Sequence, residues 1–419
     1  MKDGYKKTEL GWIPNEWEIN NVNKVTYLNP ESLGNSTDDN LVINYIDIES
    51  VKVGKVLGCK EFEFSKAPSR ARRVVMKNDV IVSTVRPNLK SVAKINFDKE
   101  NLICSTGFAV LRKKETIDSE YLFQFVISDI FTKQLMDKTV GSNYPAVNSN
   151  DIKETLICIP PLKEQEKIAD ILSTVDSQID YTDKLIEKTK VLKKGLMQRL
   201  LTKGIGHTEF KKTEVGEIPV EWEVKTISEI GKFIGGYAFK SSDYEKSGIP
   251  LVKIANVQQN RLCWGEKYYL PKEYINQYEN YSLEKGDIVM AMTRPVISSG
   301  LKVCTIKESD LPCLLNQRVG KFDLSKEIEQ DFLFHYMFTS YFIDKIRILC
   351  STTGQPNISS AQVETILIPV PNIIEQSKIS RILSRVDIQI EEYENKKIKL
   401  EELKKGLMQQ LLTGKIRVN

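Results

Sequence analysis

Residues 164–179 read EQEKIADILSTVDSQI, and residues 375–390 read EQSKISRILSRVDIQI, with 11 of 16 positions identical. Two further stretches return in the same order. YKKTELGWIPNEWEI at 5–19 becomes FKKTEVGEIPVEWEV at 210–224, and KKGLMQRLLT at 193–202 becomes KKGLMQQLLT at 404–413. Ordered matches of this kind indicate an internal duplication. The chain is therefore expected to contain one unit twice, each copy a globular domain followed by a long helix.

The repeated helical stretches carry apolar residues at spacings of three, four or seven, with charged residues between them. Such a stripe is buried only against another apolar surface. Packing of each helix on its own domain remains open, but two matching stripes favour mutual pairing. The residues expected at the pairing face are Ile168, Leu172, Val175, Ile179, Leu192, Leu196, Leu200, Ile379, Leu383, Val386, Ile390, Leu403, Leu407 and Leu411.

Chain connectivity then predicts the architecture. A helix of about 40 residues is about 60 Å long, and a second helix that pairs with it after the second domain must run antiparallel. The expected fold class is α+β: two similar α/β domains separated by two long antiparallel coiled-coil helices, a dumbbell with an approximate twofold axis. The predicted boundaries are 1–157 and 204–367 for the domains, and 158–203 and 368–419 for the helices.

The two globular parts show the same mixture of short strands and helices. Strands are expected in β-rich runs that Gly, Asn and Pro interrupt, and a helix is expected to close each domain, at 118–137 and 328–348. The predicted strands are Val42–Ile48, Val80–Val85, Leu102–Leu111, Leu251–Ile254 and Ile288–Met292. Between the repeated blocks the copies diverge, which suggests that the helices do a common job and the domains do different ones.

Composition argues against most catalytic classes. The chain has two histidines, seven dispersed cysteines and no P-loop pattern, which argues against histidine relays, zinc sites and nucleotide hydrolysis. Acidic residues Glu221 and Glu223 beside Lys225 resemble part of a nuclease set, but a structural strand is the favoured interpretation. No cofactor or metal is expected. The unpaired cysteines and the lack of a signal segment fit a cytoplasmic protein.

The repeated blocks resemble the specificity subunit of type I restriction–modification enzymes. The resemblance rests on IPPLKEQEKIADIL at 159–172 and IPVPNIIEQSKISRIL at 368–383, on the KKGLMQ helix ends, and on the G-x-IP-x-EWE openings. It implies two target-recognition domains, each reading one half of a bipartite double-stranded DNA sequence. It also implies that the helices dock two modification subunits, which bind S-adenosylmethionine and methylate adenine, and that restriction subunits can join. The specificity subunit itself would be non-catalytic.

Candidate DNA contacts follow from residue chemistry, because arginine and lysine contact phosphates and arginine also forks onto guanine. Arg86 and Arg294 recur before a proline in both copies, which favours a shared DNA backbone contact or a shared ion pair equally. Polar amides can read adenine. The full candidate set is Arg70, Arg72, Arg73, Arg86, Lys90, Ser142, Asn143, Tyr144, Lys240, Ser241, Arg261, Arg294, Gln355 and Asn357.

Two other functions stay open. The net charge of only +4 is compatible with a non-catalytic two-headed scaffold that binds proteins. An enzyme fused to its own recognition domain would need catalytic motifs that the sequence does not offer. Strong salt dependence of DNA binding would separate the DNA reader from the scaffold, because phosphate contacts release counterions. The aromatic residues Trp264, Tyr268 and Tyr269 are interpreted as core more readily than as base-stacking residues.

Overall fold

The computed structural model describes residues 4–139, 145–298, 300–350 and 356–418. The chain divides into two compact units. Unit 1 comprises residues 1–183 and 395–419, and unit 2 comprises residues 184–394. Each unit therefore contains one globular domain, here called head 1 or head 2, together with part of both long helices.

Head 1 is built from two four-stranded sheets flanked by short two-stranded pairings. One sheet has the order Val92–Lys94, Val80–Ser83, Phe108–Lys113 and Thr26–Leu28, all antiparallel. The other has the order Lys60–Glu63, Val42–Ile46, Leu102–Ser105 and Ala71–Val74, with a parallel pair at its centre. The smaller pairings are Tyr5–Thr8 with Gly11–Pro14, Glu18–Asn21 with Leu156–Ile159, and Val51–Lys52 with Lys55–Val56.

The helices of head 1 are short. They span Val22–Val25, Ser119–Val126, Asp129–Asp137 and Ser149–Lys153, with 3-10 turns at Phe64–Lys66 and Pro87–Leu89. The single helix predicted at 118–137 is in fact two, because the Ser128 side chain caps a new helix by accepting a hydrogen bond from the Phe131 amide. The run predicted as one strand, Leu102–Leu111, is also two strands, one in each sheet.

Head 2 repeats this plan. Its main sheet has the order Gly231–Gly235, Val319–Leu324, Ile288–Ala291 and Val303–Thr305. Its second sheet has the order Tyr269–Leu270, Ile249–Val252 and Leu314–Leu315. The smaller pairings are Phe210–Thr213 with Gly216–Pro219, Glu223–Thr226 with Leu367–Val370, Val257–Gln258 with Arg261–Leu262, and Val296–Ile297 with Gly300–Leu301. The helices are Ile227–Ile230, Tyr274–Gln277, Gln330–Tyr336, Ser340–Cys350 and Ser360–Glu364, with 3-10 turns at Ser241–Asp243, Glu279–Tyr281 and Glu308–Asp310. The helix predicted at 328–348 is again broken in two.

The first long helix spans Leu162–Lys203 and the second spans Ile373–Leu411. Ion pairs in unit 1 show their direction: Lys404 binds Asp176, and seven residues earlier Lys397 binds Asp183. As one helix advances the other recedes, so the helices are antiparallel in this unit. In unit 2 the pairs Lys193–Asp387 and Lys190–Glu394 show the same direction. The predicted antiparallel pairing is confirmed within each unit.

The buried and half-buried face of each helix follows a heptad pattern of alternating steps of four and three residues. On the first helix it passes through Ile168, Leu172, Val175, Ile179, Thr182, Ile186, Thr189, Lys193, Leu196 and Leu200. On the second it passes through Ile379, Leu383, Val386, Ile390, Tyr393, Lys397, Leu400, Lys404, Leu407 and Leu411. We call these positions the seam. A seven-residue repeat of this kind keeps one face of a helix turned toward its partner.

Two residues predicted at the pairing face lie outside the seam. Leu192 is 53% exposed and Leu403 is 51% exposed, and each is one residue away from a seam lysine. One residue turns a helix by about 100°, which moves the side chain off the buried face. Assigning Leu192 and Leu403 to the pairing face was therefore wrong. The physical reason is that Lys193 and Lys404 occupy the seam and bring their amines to Asp387 and Asp176.

The start of each long helix also packs on its own head. Ile168 and Leu172 belong to the core of head 1, together with Leu411 from the end of the second helix. Ile379 and Leu383 belong to the core of head 2, together with Leu200. The sequence left open whether each apolar stripe packs on its own head or on the other helix. The structure shows both, because each helix contacts its partner helix and its own head.

The repeated Glu-Gln pair at the helix starts fixes this junction. In unit 1 the buried Gln165 donates to the Pro160 and Thr116 carbonyls and accepts from the Asp118 amide. In unit 2, Gln376 makes the corresponding bonds to Pro371, Glu327 and Glu329. Buried polar groups must find partners, so this glutamine ties each head to the helix that follows it.

The preceding glutamate binds the segment that follows the opposite long helix. Glu164 accepts from the Trp17 indole at 2.9 Å and from Arg417 at 2.7 Å. Its counterpart Glu375 accepts from Trp222 at 3.1 Å and contacts His207 at 2.9 Å. The same carboxylate therefore meets an arginine in unit 1 and a histidine in unit 2.

Candidate nucleic-acid interface

Arg86 and Arg294 adopt the same unusual backbone conformation in the two heads. Their φ angles are 50° and 46°, in the left-handed region that side-chain-bearing residues rarely occupy. The Arg86 amide donates to the Pro145 carbonyl at 2.8 Å, and the Arg294 amide donates to the Pro356 carbonyl at 2.7 Å. Both arginines are exposed, and each is fixed beside the segment that begins at Pro145 or Pro356.

Each of these prolines follows a stretch that the sequence singled out. Ser142, Asn143, Tyr144 and Gln355 lie outside the described residues. Asn357 is described: it forms a bridge to Thr293, and its Oδ1 atom is buried without a partner among the described residues. The structure therefore brings each recurring arginine next to the chain that emerges from a candidate DNA-reading loop.

The compact arginine cluster of head 1 is divided between environments. Arg70 is exposed, and its carbonyl accepts from the Thr106 amide at 2.8 Å. Arg72 stacks over the Phe64 ring at 4.6 Å, whereas Arg73 is half-buried and its Nε atom has no partner among the described residues. Burial lowers the pKa of Arg73. Successive residues of a strand point to opposite faces, so Arg72 and Arg73 cannot share one surface.

The remaining candidates are scattered. Lys90 forms an ion pair with Asp129 at 2.5 Å, so its charge is already compensated within unit 1. In head 2, Lys240, Ser241 and Arg261 are all exposed. Ser241 begins a 3-10 turn that Lys240 precedes, and Arg261 begins a two-residue strand.

The two loop edges are the surfaces that carry the recurring arginines, and hydrogen bonds define them. In head 1, Thr106 contacts Arg70 and the next residue, Gly107, accepts from the Thr84 amide at 2.8 Å, two residues before Arg86. In head 2, Arg318 accepts from the Met292 amide at 2.7 Å, two residues before Arg294. Sequence reasoning missed Arg318, because no local pattern marks a residue brought here by strand pairing.

Other polar clusters have structural roles. Lys225 lies between Glu223 and Glu327, and Glu221 contacts His207, which fits the structural interpretation of this acidic stretch.

Burial raises the pKa of Cys158, Cys304 and Cys313 to about 12, so these thiols stay protonated. Trp264 packs in a core cluster of head 2 and donates to Asp310.

Metal-ion clusters and membrane-spanning helices are both absent from the described residues. Within the ranges given above, no group of three or more histidine, cysteine or acidic residues is arranged to hold a metal ion. Among the helices of those ranges, none combines the length and apolar character needed to cross a bilayer.

Two heads of one plan, each in a unit with part of both long helices, define a two-headed protein that arose by duplication. The family model of the type I restriction modification DNA specificity domain matches residues 9–190 and 219–402. The chain therefore belongs to this family.

Individual proteins agree with this assignment. The chain is 33% identical over its full length to the type I restriction enzyme MjaVIII specificity subunit of Methanocaldococcus jannaschii, covering 97% of that relative. It is also 38% identical over 172 residues to the type I restriction enzyme EcoAI specificity subunit of Escherichia coli. This match covers 41% of the present chain and 28% of that relative.

Solved structures show the same fold. A chain from a structural study of complex assembly and conformational transition of the type I R-M system matches with a TM-score of 0.60 at 23% identity, covering 96% of this chain and 99% of that one. The S subunit from M. genitalium also matches with a TM-score of 0.60, at 16% identity, covering 94% of this chain and 96% of that one.

Proposed function

We propose that this chain recognises a bipartite double-stranded DNA sequence, one half with each head, and directs the methyltransferase and restriction subunits of a type I restriction–modification system to it. The observation that carries the proposal is the recurrence of Arg86 and Arg294. Each holds a left-handed backbone beside the chain that leaves a candidate reading loop. Backbone strain that is kept at equivalent sites favours a role in binding.

The long helices carry the second part of the proposal. Leu192 and Leu403 are equivalent residues, and both point away from the seam with about half of the side chain exposed. One such residue lies in each unit, which supports docking of two copies of one partner. We propose that these partners are modification subunits, that they bind S-adenosylmethionine, and that this chain supplies recognition without catalysis. We propose that such a complex acts in the cytoplasm.

Head exchange tests the assignment of half-sites. Residues 1–157 would be replaced by the matching head of another member of the family, and the chain would be assembled with its modification subunit. Sequencing of methylated DNA should show one changed half-site and one retained half-site. Loss of both half-sites would contradict independent reading by the two heads.

Salt dependence separates DNA reading from the scaffold alternative. The logarithm of the DNA affinity should fall linearly with the logarithm of salt concentration, with a slope of about −0.9 for each phosphate contacted. A double variant with Arg86→Ala and Arg294→Ala should have a shallower slope. Binding with no salt dependence would favour a protein-binding scaffold, which family membership does not favour.

A further inference from the structure

Head 2 carries a second arginine with a left-handed backbone. Arg318 has a φ of 69° and precedes the strand Val319–Leu324. Its carbonyl accepts from the Met292 amide at 2.7 Å, and Met292 is two residues from Arg294. The two exposed arginines therefore emerge from the same loop edge of head 2.

Neither arginine is explained by contacts within head 2. Both side chains are exposed, and among the residues that the structure describes neither guanidinium takes part in an ion pair or a hydrogen bond. Glycine or asparagine would adopt the left-handed region at lower cost. An arginine kept in this conformation without an internal partner points to a role outside the chain.

Of the two arginine positions at this edge, only the position of Arg318 differs between the heads. Arg86 matches Arg294, but the place of Arg318 is taken by Gly107, whose carbonyl accepts from Thr84 as that of Arg318 accepts from Met292. A Cβ atom on Gly107 would lie 2.5 Å from the Cδ1 atom of Ile48. At this position head 1 therefore carries no side chain, and the arginine that it does bring to this edge, Arg70, comes from a different segment, where its carbonyl accepts from the Thr106 amide.

The backbone beside Arg318 is held tightly. The Gln317 amide donates to the Tyr237 carbonyl at 2.8 Å, and the Tyr237 amide donates to the Leu315 carbonyl at 3.1 Å. The Tyr237 ring in turn packs against Tyr278 and Tyr281, with centroids 4.7 Å and 5.4 Å away. A fixed base for the side chain reduces the entropy that is lost on binding.

From this difference we infer that Arg318 reads a guanine in the half-site of head 2, whereas Arg294 and Arg86 contact the phosphate backbone. Two heads that read different sequences cannot owe their different specificities to a residue that they share. A shared arginine suits a phosphate contact, because phosphate contacts carry no sequence information. A guanidinium can donate two parallel hydrogen bonds to the O6 and N7 atoms of guanine in the major groove. This inference rests on the proposed function of the chain.

The test separates charge from fork geometry. Arg318→Lys keeps the charge but loses the paired donors, and Arg318→Asn removes the charge while still tolerating the left-handed backbone. Arg294→Ala is the contrasting variant. Arg347→Ala is the matched control, because Arg347 is an exposed arginine of head 2 already paired with Asp344. Each variant would be assembled with the modification subunit, and methylated sites would be sequenced from a random DNA library.

Both Arg318 variants should retain the half-site of head 1 and lose preference for guanine at one position of the other half-site, roughly tenfold to a hundredfold. Arg294→Ala should weaken binding equally for all sequences and make the salt slope shallower by about 1. Arg347→Ala should change neither.

Two results would overturn the inference: an unaltered site profile in both Arg318 variants, or a uniform loss of affinity like that of Arg294→Ala. If Arg318→Asn does not fold, as judged by its thermal unfolding, Arg318→Lys decides between these outcomes. A wild-type complex without any sequence preference would overturn the proposed function as well, and this result is distinct from the other two.

Discussion

Lys404 donates hydrogen bonds to both carboxylate oxygens of Asp176, at 2.6 and 2.8 Å. Lys404 lies on the seam of the second long helix and Asp176 lies beside the seam of the first. The duplication places the same pair in unit 2 with the helices exchanged, where Lys193 binds Asp387. Each unit therefore carries the same charged contact. A lysine is compatible with a helix interface when its aliphatic stem is buried and its amine reaches a polar partner at the edge of the interface.

Replacing Asp176 should destabilise unit 1. Asp176→Ala leaves the ammonium group of Lys404 half-buried without its partner, and we expect a loss of about 1–3 kcal/mol in the free energy of unfolding. Glu394→Ala is the matched control: its pair with Lys190 is exposed, and such pairs contribute about 0–1 kcal/mol. Urea unfolding would measure both. Equal effects of the two variants would contradict a structural role for the seam lysine.

The seam predicts different losses of stability for two apolar residues of the first long helix. Ile186 is buried on the seam, so Ile186→Ala should cost about 2–4 kcal/mol through lost burial and a cavity. Leu192→Ala should change the unfolding free energy by less than about 0.5 kcal/mol, because the side chain is exposed. Denaturant midpoints of the isolated chain check this. A large loss from Leu192→Ala would restore Leu192 to the pairing face.

His335 should make unit 2 sensitive to acid. Burial, helped by the charge of Lys193, lowers the pKa of His335 to about 3. A lowered pKa means that stability is present above the unfolded value of about 6.5 and is lost as the pH falls, because only the unfolded chain takes up the proton. The loss should reach about 2 kcal/mol at pH 5.

A neutral replacement for His335 is suggested by head 1. There the equivalent residue, Gln124, donates to Asp176 at 2.8 Å, whereas the Nδ1 atom of His335 has no hydrogen-bond partner among the described residues. His335→Gln should therefore flatten the pH dependence between pH 6.5 and 5. The slope is measured by thermal unfolding at each pH, and an unchanged slope would show that other groups cause the acid sensitivity.

His207 should have the opposite effect. Burial lowers its pKa, but hydrogen bonds to Glu375 and the charges of Glu375 and Glu221 outweigh burial, so the pKa is raised above its ordinary value. Its contribution is fully present below about pH 6.5 and is lost as the pH rises through the raised value. Protection factors of the amides at 205–222, which correct the exchange rates for hydroxide catalysis, should therefore fall above neutral pH.

Arginine offers the control for His207. In unit 1, Arg417 binds Glu164 and Glu16 in the equivalent place and stays charged at all these pH values. His207→Arg should keep the protection factors at 205–222 constant across this pH range. If the protection factors of this variant still fall above neutral pH, the contact between His207 and Glu375 is not the cause.

Loop chemistry was predicted only in part. The recurrence of Arg86 and Arg294 is visible in the sequence, because each precedes a proline in its copy. Arg318 was missed, since its place beside Arg294 depends on the pairing of Ile288–Ala291 with Val319–Leu324. The assignment of DNA contacts to individual residues and the predicted domain boundaries stay predictions.

The amino-acid sequence by itself determined the duplication, the α+β class, the two long helices and their direction, because repeats and apolar periodicity are local records of what must be buried. Only the tertiary structure decided where the buried face runs through the middle of each helix. The apolar pattern assigned Leu192 and Leu403 to the buried face, yet the seam runs through Thr182, Thr189, Lys193 and Lys404. Thr182 can be buried because its hydroxyl bonds to the Gln178 carbonyl, and the lysines because their amines reach carboxylates across the interface. Those partners are far away along the chain, so only folding reveals them.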